Sequence, residues 1–157
     1  MSNPLPEPVS ALRLVVHYAL ALAVYAALYA LVIYACMYWG IEISGPAGAA
    51  ISLILLMVAA SSVGGVWANR EKAQPAGGRV WKVAALCSVV ALAVQVSVTF
   101  ASADTVEALR ENVRDDTEIL YIVLAAIWLV DLLVIRLGFG MGIRQGLRQI
   151  ERAAAKG

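Results

Sequence analysis

A single carboxylate, Asp131, stands inside an otherwise apolar run whose only other charge is Arg136. A charge so placed costs several kcal/mol unless it is paired, neutralised or wetted. Counted inward from a cytoplasmic boundary near Phe139, it sits about two helical turns deep. That depth makes His17, Lys82 and Arg136 its candidate partners. One reading is a proton or substrate site in which His17 is a second titrating group. The other is a structural ion pair that fixes the bundle, and the lack of a second buried carboxylate favours it.

The remaining polar groups in apolar sequence are hydroxyls and amides. Turning about 100° per residue places Tyr25 and Tyr29 on one face of the first helix, deep enough for their hydroxyls to need partners. Gln95 and Thr99 on the third helix can supply them, which gives a polar seam of structural character. Cys36 and Cys87 lie in separate apolar runs without CxxC spacing, so neither a metal site nor a redox pair is expected. One His, no Ser elbow, no phosphate loop, no HExxH and no clustered carboxylates leave no parts for a hydrolase or transferase. The chain is read as non-enzymatic and without a cofactor.

Small residues form rows. Ala60, Gly64 and Ala68 recur every fourth residue, as do Ser61 and Gly65, and such rows let helices approach to backbone contact in lipid. Gly138, Gly142 and Gly146 form another row that crosses from the last apolar run into the tail. Packing within one bundle is the first reading and docking of a partner helix the second. The row that leaves the bilayer is the harder one to explain by packing alone.

These residues need elements to hold them. The 157 residues are 62% hydrophobic and 15% charged, with a mean hydropathy of +0.80, which places the chain among membrane proteins. A helix needs roughly 20 apolar residues to cross a hydrocarbon core of about 30 Å. Four runs meet that need, at 14–39, 47–68, 82–102 and 119–141. The predicted fold class is all-α membrane, a single-domain bundle of four transmembrane helices. The first run is a full span ending in Met37-Tyr38-Trp39 rather than a signal-peptide core, so cleavage is not expected. A net charge of +1 provides no field for nucleic acid.

Basic residues sort by side. The N-terminus, the 69–81 loop and the tail hold Arg13, Arg70, Lys72, Arg79, Lys82, Arg136, Arg144, Arg148, Arg152 and Lys156, against only Arg110 and Arg114 opposite. The positive-inside rule then places both termini in the cytoplasm. Loop 103–118 becomes an acidic periplasmic element carrying Asp104, Glu107, Glu111, Asp115 and Asp116, with capping-box spacing between Asp104 and Glu107. A periplasmic partner would meet it first. The tail, 142–157, sets Ile143, Leu147 and Ile150 beside Arg144, Arg148 and Arg152, the pattern of an amphipathic helix on an anionic inner leaflet.

Three stretches carry a likeness. They are the Gly40-Ile41 turn before an alanine-rich second span, the loop ending Gly78-Arg79-Val80-Trp81-Lys82, and Ile135-Arg136-Leu137-Gly138-Phe139-Gly140-Met141-Gly142. The sequence resembles a family of small bacterial four-span membrane proteins labelled by an ABZJ-type locus tag. The resemblance implies four spans and a bacterial inner-membrane address, with no catalytic residues to carry over; the long acidic loop departs from the family pattern. Some small multispan proteins that look like this are immunity proteins guarding a cell against a membrane-inserting toxin.

The leading expectation is thus a non-enzymatic interaction protein, in the form of an immunity protein that blocks a pore-forming toxin. Small-residue faces would engage the toxin helix, and the acidic loop would face its approach. The alternatives are a small transporter or accessory subunit using Asp131 and His17 as a proton-coupled pair, and a scaffold subunit of a membrane complex. Expected partners are the lipid bilayer, such a toxin or another membrane protein, and further copies of the chain.

Overall fold

In the computed structural model, which describes residues 9–40, 46–101 and 117–155, the chain forms four long helices. α1 spans Ala11–Tyr38, α2 Pro46–Glu71, α3 Gly77–Ala101 and α4 Thr117–Ala154. Each is long and apolar enough to cross a bilayer, and the described residues include no strand. Asp104, Glu107, Glu111, Asp115 and Asp116 of the acidic loop lie outside the described residues.

Local chemistry sets the helix ends. Ser10 caps α1, its Oγ accepting the Arg13 N–H at 3.4 Å, so the helix begins ahead of the apolar run at Leu14. Gly40 ends α1 with φ at +71°, the left-handed conformation that closes many helices. Lys72 does the same for α2 at φ +49° without being glycine, while its N–H donates to the Ala68 carbonyl at 2.8 Å. α3 then starts at Gly77, after a short turn that contains the buried Pro75.

α4 runs unbroken through Gly138, Gly142 and Gly146 to Ala154, which corrects the expectation of a separate surface helix over the tail. The apolar row of the tail supplies the reason. Ile143 is buried and Leu147 packs against the core, so these two face the bundle, while Ile150 is half-buried.

Helix α1 packs on α2 and α3, and α4 packs on the same two, leaving α1 diagonal to α4. The most extensive contact is between α2 and α4, where the small-residue rows meet each other. A Cβ on Gly138 would stand 2.6 Å from the Met57 carbonyl oxygen and 2.8 Å from Ala60 Cβ. One on Gly64 would stand 2.8 Å from the Phe139 carbonyl oxygen, and one on Gly146 2.8 Å from Ala68 Cβ. On Gly142 it would strike the Ser61 backbone. Both rows are therefore engaged inside the bundle. Glycine within a helix costs up to about 1 kcal/mol relative to alanine, and the close backbone approach it permits offsets that cost.

The core is one-sided. Among the described residues, the core side chains of the helices fall between Leu14 and Leu22, Leu56 and Ala68, Val80 and Ala91, and Ile135 and Ile143. That half holds the start of α1, the end of α2, the start of α3 and the end of α4, together with Arg13, Arg70, Arg79, Lys82 and Arg144. It is the basic end. Toward the opposite end, Val24, Leu28, Leu31, Ile122 and Leu129 are exposed as lipid-facing residues are.

Candidate functional site

Three aromatic rings close the bundle at the basic end. Phe139 of α4 meets Trp67 of α2 edge-on, centroids 6.2 Å apart at 89°, and is tilted against Tyr18 of α1 at 6.4 Å. All three are fully buried. The Arg79 guanidinium lies 5.2 Å from the centre of the Trp67 ring and pairs with Glu71 at 2.8 Å. Glu71 Oε1 in turn accepts the Val9 N–H at 2.8 Å, and Arg79 Nη2 donates to the Val9 carbonyl. This clasp ties the residue before α1 to the α2–α3 turn.

Arg79→Ala leaves the Glu71 carboxylate and the Val9 carbonyl short of a donor, at an expected cost of about 1–3 kcal/mol. Hydrogen exchange in the first turns of α1 should quicken in that variant, while the exposed Lys82, changed to Ala, should leave it as it was. Equal exchange in both variants would show that the clasp holds nothing.

Asp131 lies one turn before Ile135 and two before Phe139 on the same face of α4, so it stands directly over the aromatic plug. It is 1% exposed. Gln95 of α3 is its hydrogen-bond partner, while Oδ2 has none. The Tyr18 hydroxyl is also buried without a partner.

From Asp131 away from the basic end, the helices line a half-open cavity of about 650 Å³. All four contribute to its wall: Leu22 and Tyr29 from α1, Ser52 and Leu56 from α2, Val94 and Gln95 from α3, Ile127 and Val130 from α4. Ser52 Oγ donates to the Gly48 carbonyl at 3.0 Å, and the Tyr29 hydroxyl would lie 3.7 Å from a Cβ on Gly48. Tyr29 thus crosses to α2. The result is an apolar chamber with one carboxylate at its closed end and a few hydrogen-bonding groups around it, the usual make-up of a small-molecule site.

No family model, curated protein or solved structure matches the chain. Its site is read from its own chemistry.

The structure does not bring His17, Lys82 and Arg136 to Asp131. His17 Nδ1 donates to the Arg13 carbonyl of its own helix at 2.7 Å, and Lys82 is exposed. Arg136 reaches the other way, its guanidinium 5.5 Å from the centre of the Trp81 ring at the start of α3. Among the described residues the ion pair found is Arg79 with Glu71, and none involves Asp131. The reason is length: α4 continues to Ala154, so Phe139 is no boundary and Asp131 stands level with the middle of α3. The polar seam is also redistributed. Gln95 serves α4, Tyr29 faces α2, and Tyr25 is half-buried against the core. The Thr99 side chain lies outside the described ones.

Two features have no sequence motif. Ser52 sits in an apolar helix with nothing to mark it, and the Glu71–Arg79 clasp joins residues on either side of a turn. The short connection through Pro75, which brings the end of α2 beside the start of α3, is the one signal that could have suggested the second. A shallower groove of about 380 Å³ follows the α2–α4 seam past Ser61, Asn69, Gln145 and Gln149, and no charged side chain lines it.

Proposed function

We propose that the protein is a non-enzymatic membrane protein that holds a small ligand between its four helices, as a small transporter or the accessory subunit of one. The observation that carries this is Asp131, buried with one oxygen unpartnered at the closed end of the 650 Å³ cavity. A purely structural carboxylate would be expected to complete its hydrogen bonds. The charge asymmetry supports an inner-membrane address with the basic end in the cytoplasm, so that the cavity lies on the periplasmic side of the aromatic plug.

The immunity reading assigned toxin binding to the small-residue rows. Those rows face each other across the α2–α4 seam, which leaves the cavity as the entry for an inserted helix. The apolar face of an inserted helix would leave Asp131 Oδ2 unpartnered, so a compact ligand with a polar group suits the cavity better.

Treatment with a lipid-soluble carbodiimide tests the reading, because such a reagent forms a stable N-acylurea with a carboxyl group it can reach. Mass spectrometry should find the adduct on Asp131, none on Glu71, and none at position 131 in Asp131→Asn. An unmodified Asp131 in the folded protein would sink the reading.

A further inference from the structure

We infer that the cavity binds a monovalent organic cation with an apolar body, using Asp131 as the counter-ion; this rests on the reading of the cavity as the working site. Three observations lead there. First, the wall is mostly aliphatic, from Leu22, Leu53, Leu56, Val94, Ile127 and Val130, so the body of the ligand has to be apolar. Second, the chamber holds a single charged group. Asp131 is 1% exposed with Oδ2 unpartnered, and no basic side chain among the described residues pairs with it. Arg79 is engaged with Glu71 and Arg136 with Trp81, both nearer the basic end. Third, the aromatic ring of Tyr29 and the Ser52 hydroxyl lie in the same wall, and an aromatic face attracts a cation.

Other ligand classes fit less well. A divalent metal takes six or more oxygen ligands or a set of His and Cys, and no three His, Cys, Asp or Glu side chains gather among the described residues. An anion would meet Asp131 with no cation to offset it. A neutral lipid tail would fill the aliphatic part and leave Oδ2 as it is, unpartnered in an apolar site. Only a cation satisfies the walls and the carboxylate together. One charge is the match, since one carboxylate faces the cavity.

Tetraphenylphosphonium is a suitable probe, because it has four aromatic arms around one positive charge. Titrated into the full-length protein in lipid nanodiscs, it should bind with saturation, at a micromolar Kd that weakens at least tenfold in Asp131→Asn. Ala126→Trp narrows the cavity from the opposite end of its α4 wall and should abolish binding with the carboxylate intact, which keeps the test decisive if Asp131→Asn fails to assemble. The probe should also slow carbodiimide modification of Asp131, whereas uncharged tetraphenylsilane should not. Modification that proceeds equally fast with and without the cation would overturn the cation assignment and leave the cavity reading standing. Absence of any modification would overturn the cavity reading itself. Equal protection by tetraphenylsilane would identify an apolar pocket that ignores charge and would likewise overturn the assignment.

Discussion

Gly142→Leu should prevent the bundle from assembling. Even the Cβ of an alanine at this position would strike the Ser61 backbone, with the carbonyl carbon 2.7 Å away and Cα 2.9 Å away. Backbone cannot swing aside as the end of a side chain can, so α2 and α4 must separate. Overpacking a close-packed interior costs about 1–3 kcal/mol for a modest intrusion and more for a large one. A leucine here would also displace the Gly138 and Gly146 contacts on either side. We expect Gly142→Ala to lower the melting temperature by several degrees and Gly142→Leu to leave no cooperative transition. Gly78→Ala is the control, since a Cβ there meets nothing within 4 Å. A Gly142→Leu protein that melts like the native one would mean that the two rows do not face each other.

The second large effect has the opposite sign. Replacing both Asp131 and Gln95 by leucine should raise stability while abolishing cation binding. Removing one partner of a buried polar pair strands the other, but replacing both with apolar groups is often neutral or stabilising. Here the gain is larger than usual because Asp131 Oδ2 is already unsatisfied, and relieving it contributes about 1–3 kcal/mol. At roughly 2–4 °C per kcal/mol for a chain of this size, the melting temperature should rise by several degrees. A group kept for its ligand and not for the fold behaves this way. A clear fall in stability would return Asp131 to a structural role. Single Asp131→Leu is the weaker test, because it removes the hydrogen-bond partner of Gln95.

Much of the architecture was legible before the structure. The four apolar runs became four helices because length and hydropathy are enough to define a span, and the small-residue rows became a seam because only glycine and alanine permit that approach. The sequence alone places Asp131 too near the cytoplasmic boundary for a specific reason. Arg136 and the glycines after it look like the end of a span, yet the arginine extends toward Trp81 and the glycines continue the helix against α2. Once that boundary moves, the basic partners move away from Asp131 and Gln95 becomes its neighbour. The cavity was not legible at all. It exists because the outer halves of α1 and α4 are apolar without being packed, and sequence does not distinguish a side chain facing lipid from one facing a chamber.

Two serines allow the central claim, a chamber sealed at the basic end and reached by ligand from the periplasmic side, to be tested with near-isosteric changes. Ser52 lines the cavity, while Ser88 is fully buried beside the plug. In a background with Cys36→Ser and Cys87→Ala, Ser52→Cys and Ser88→Cys can be compared in intact cells using a small membrane-impermeant thiol reagent. The account predicts that Ser52→Cys is modified from outside the cell, that tetraphenylphosphonium slows the modification, and that Ser88→Cys is spared. Equal modification of both positions, or modification of Ser88→Cys alone, would contradict it.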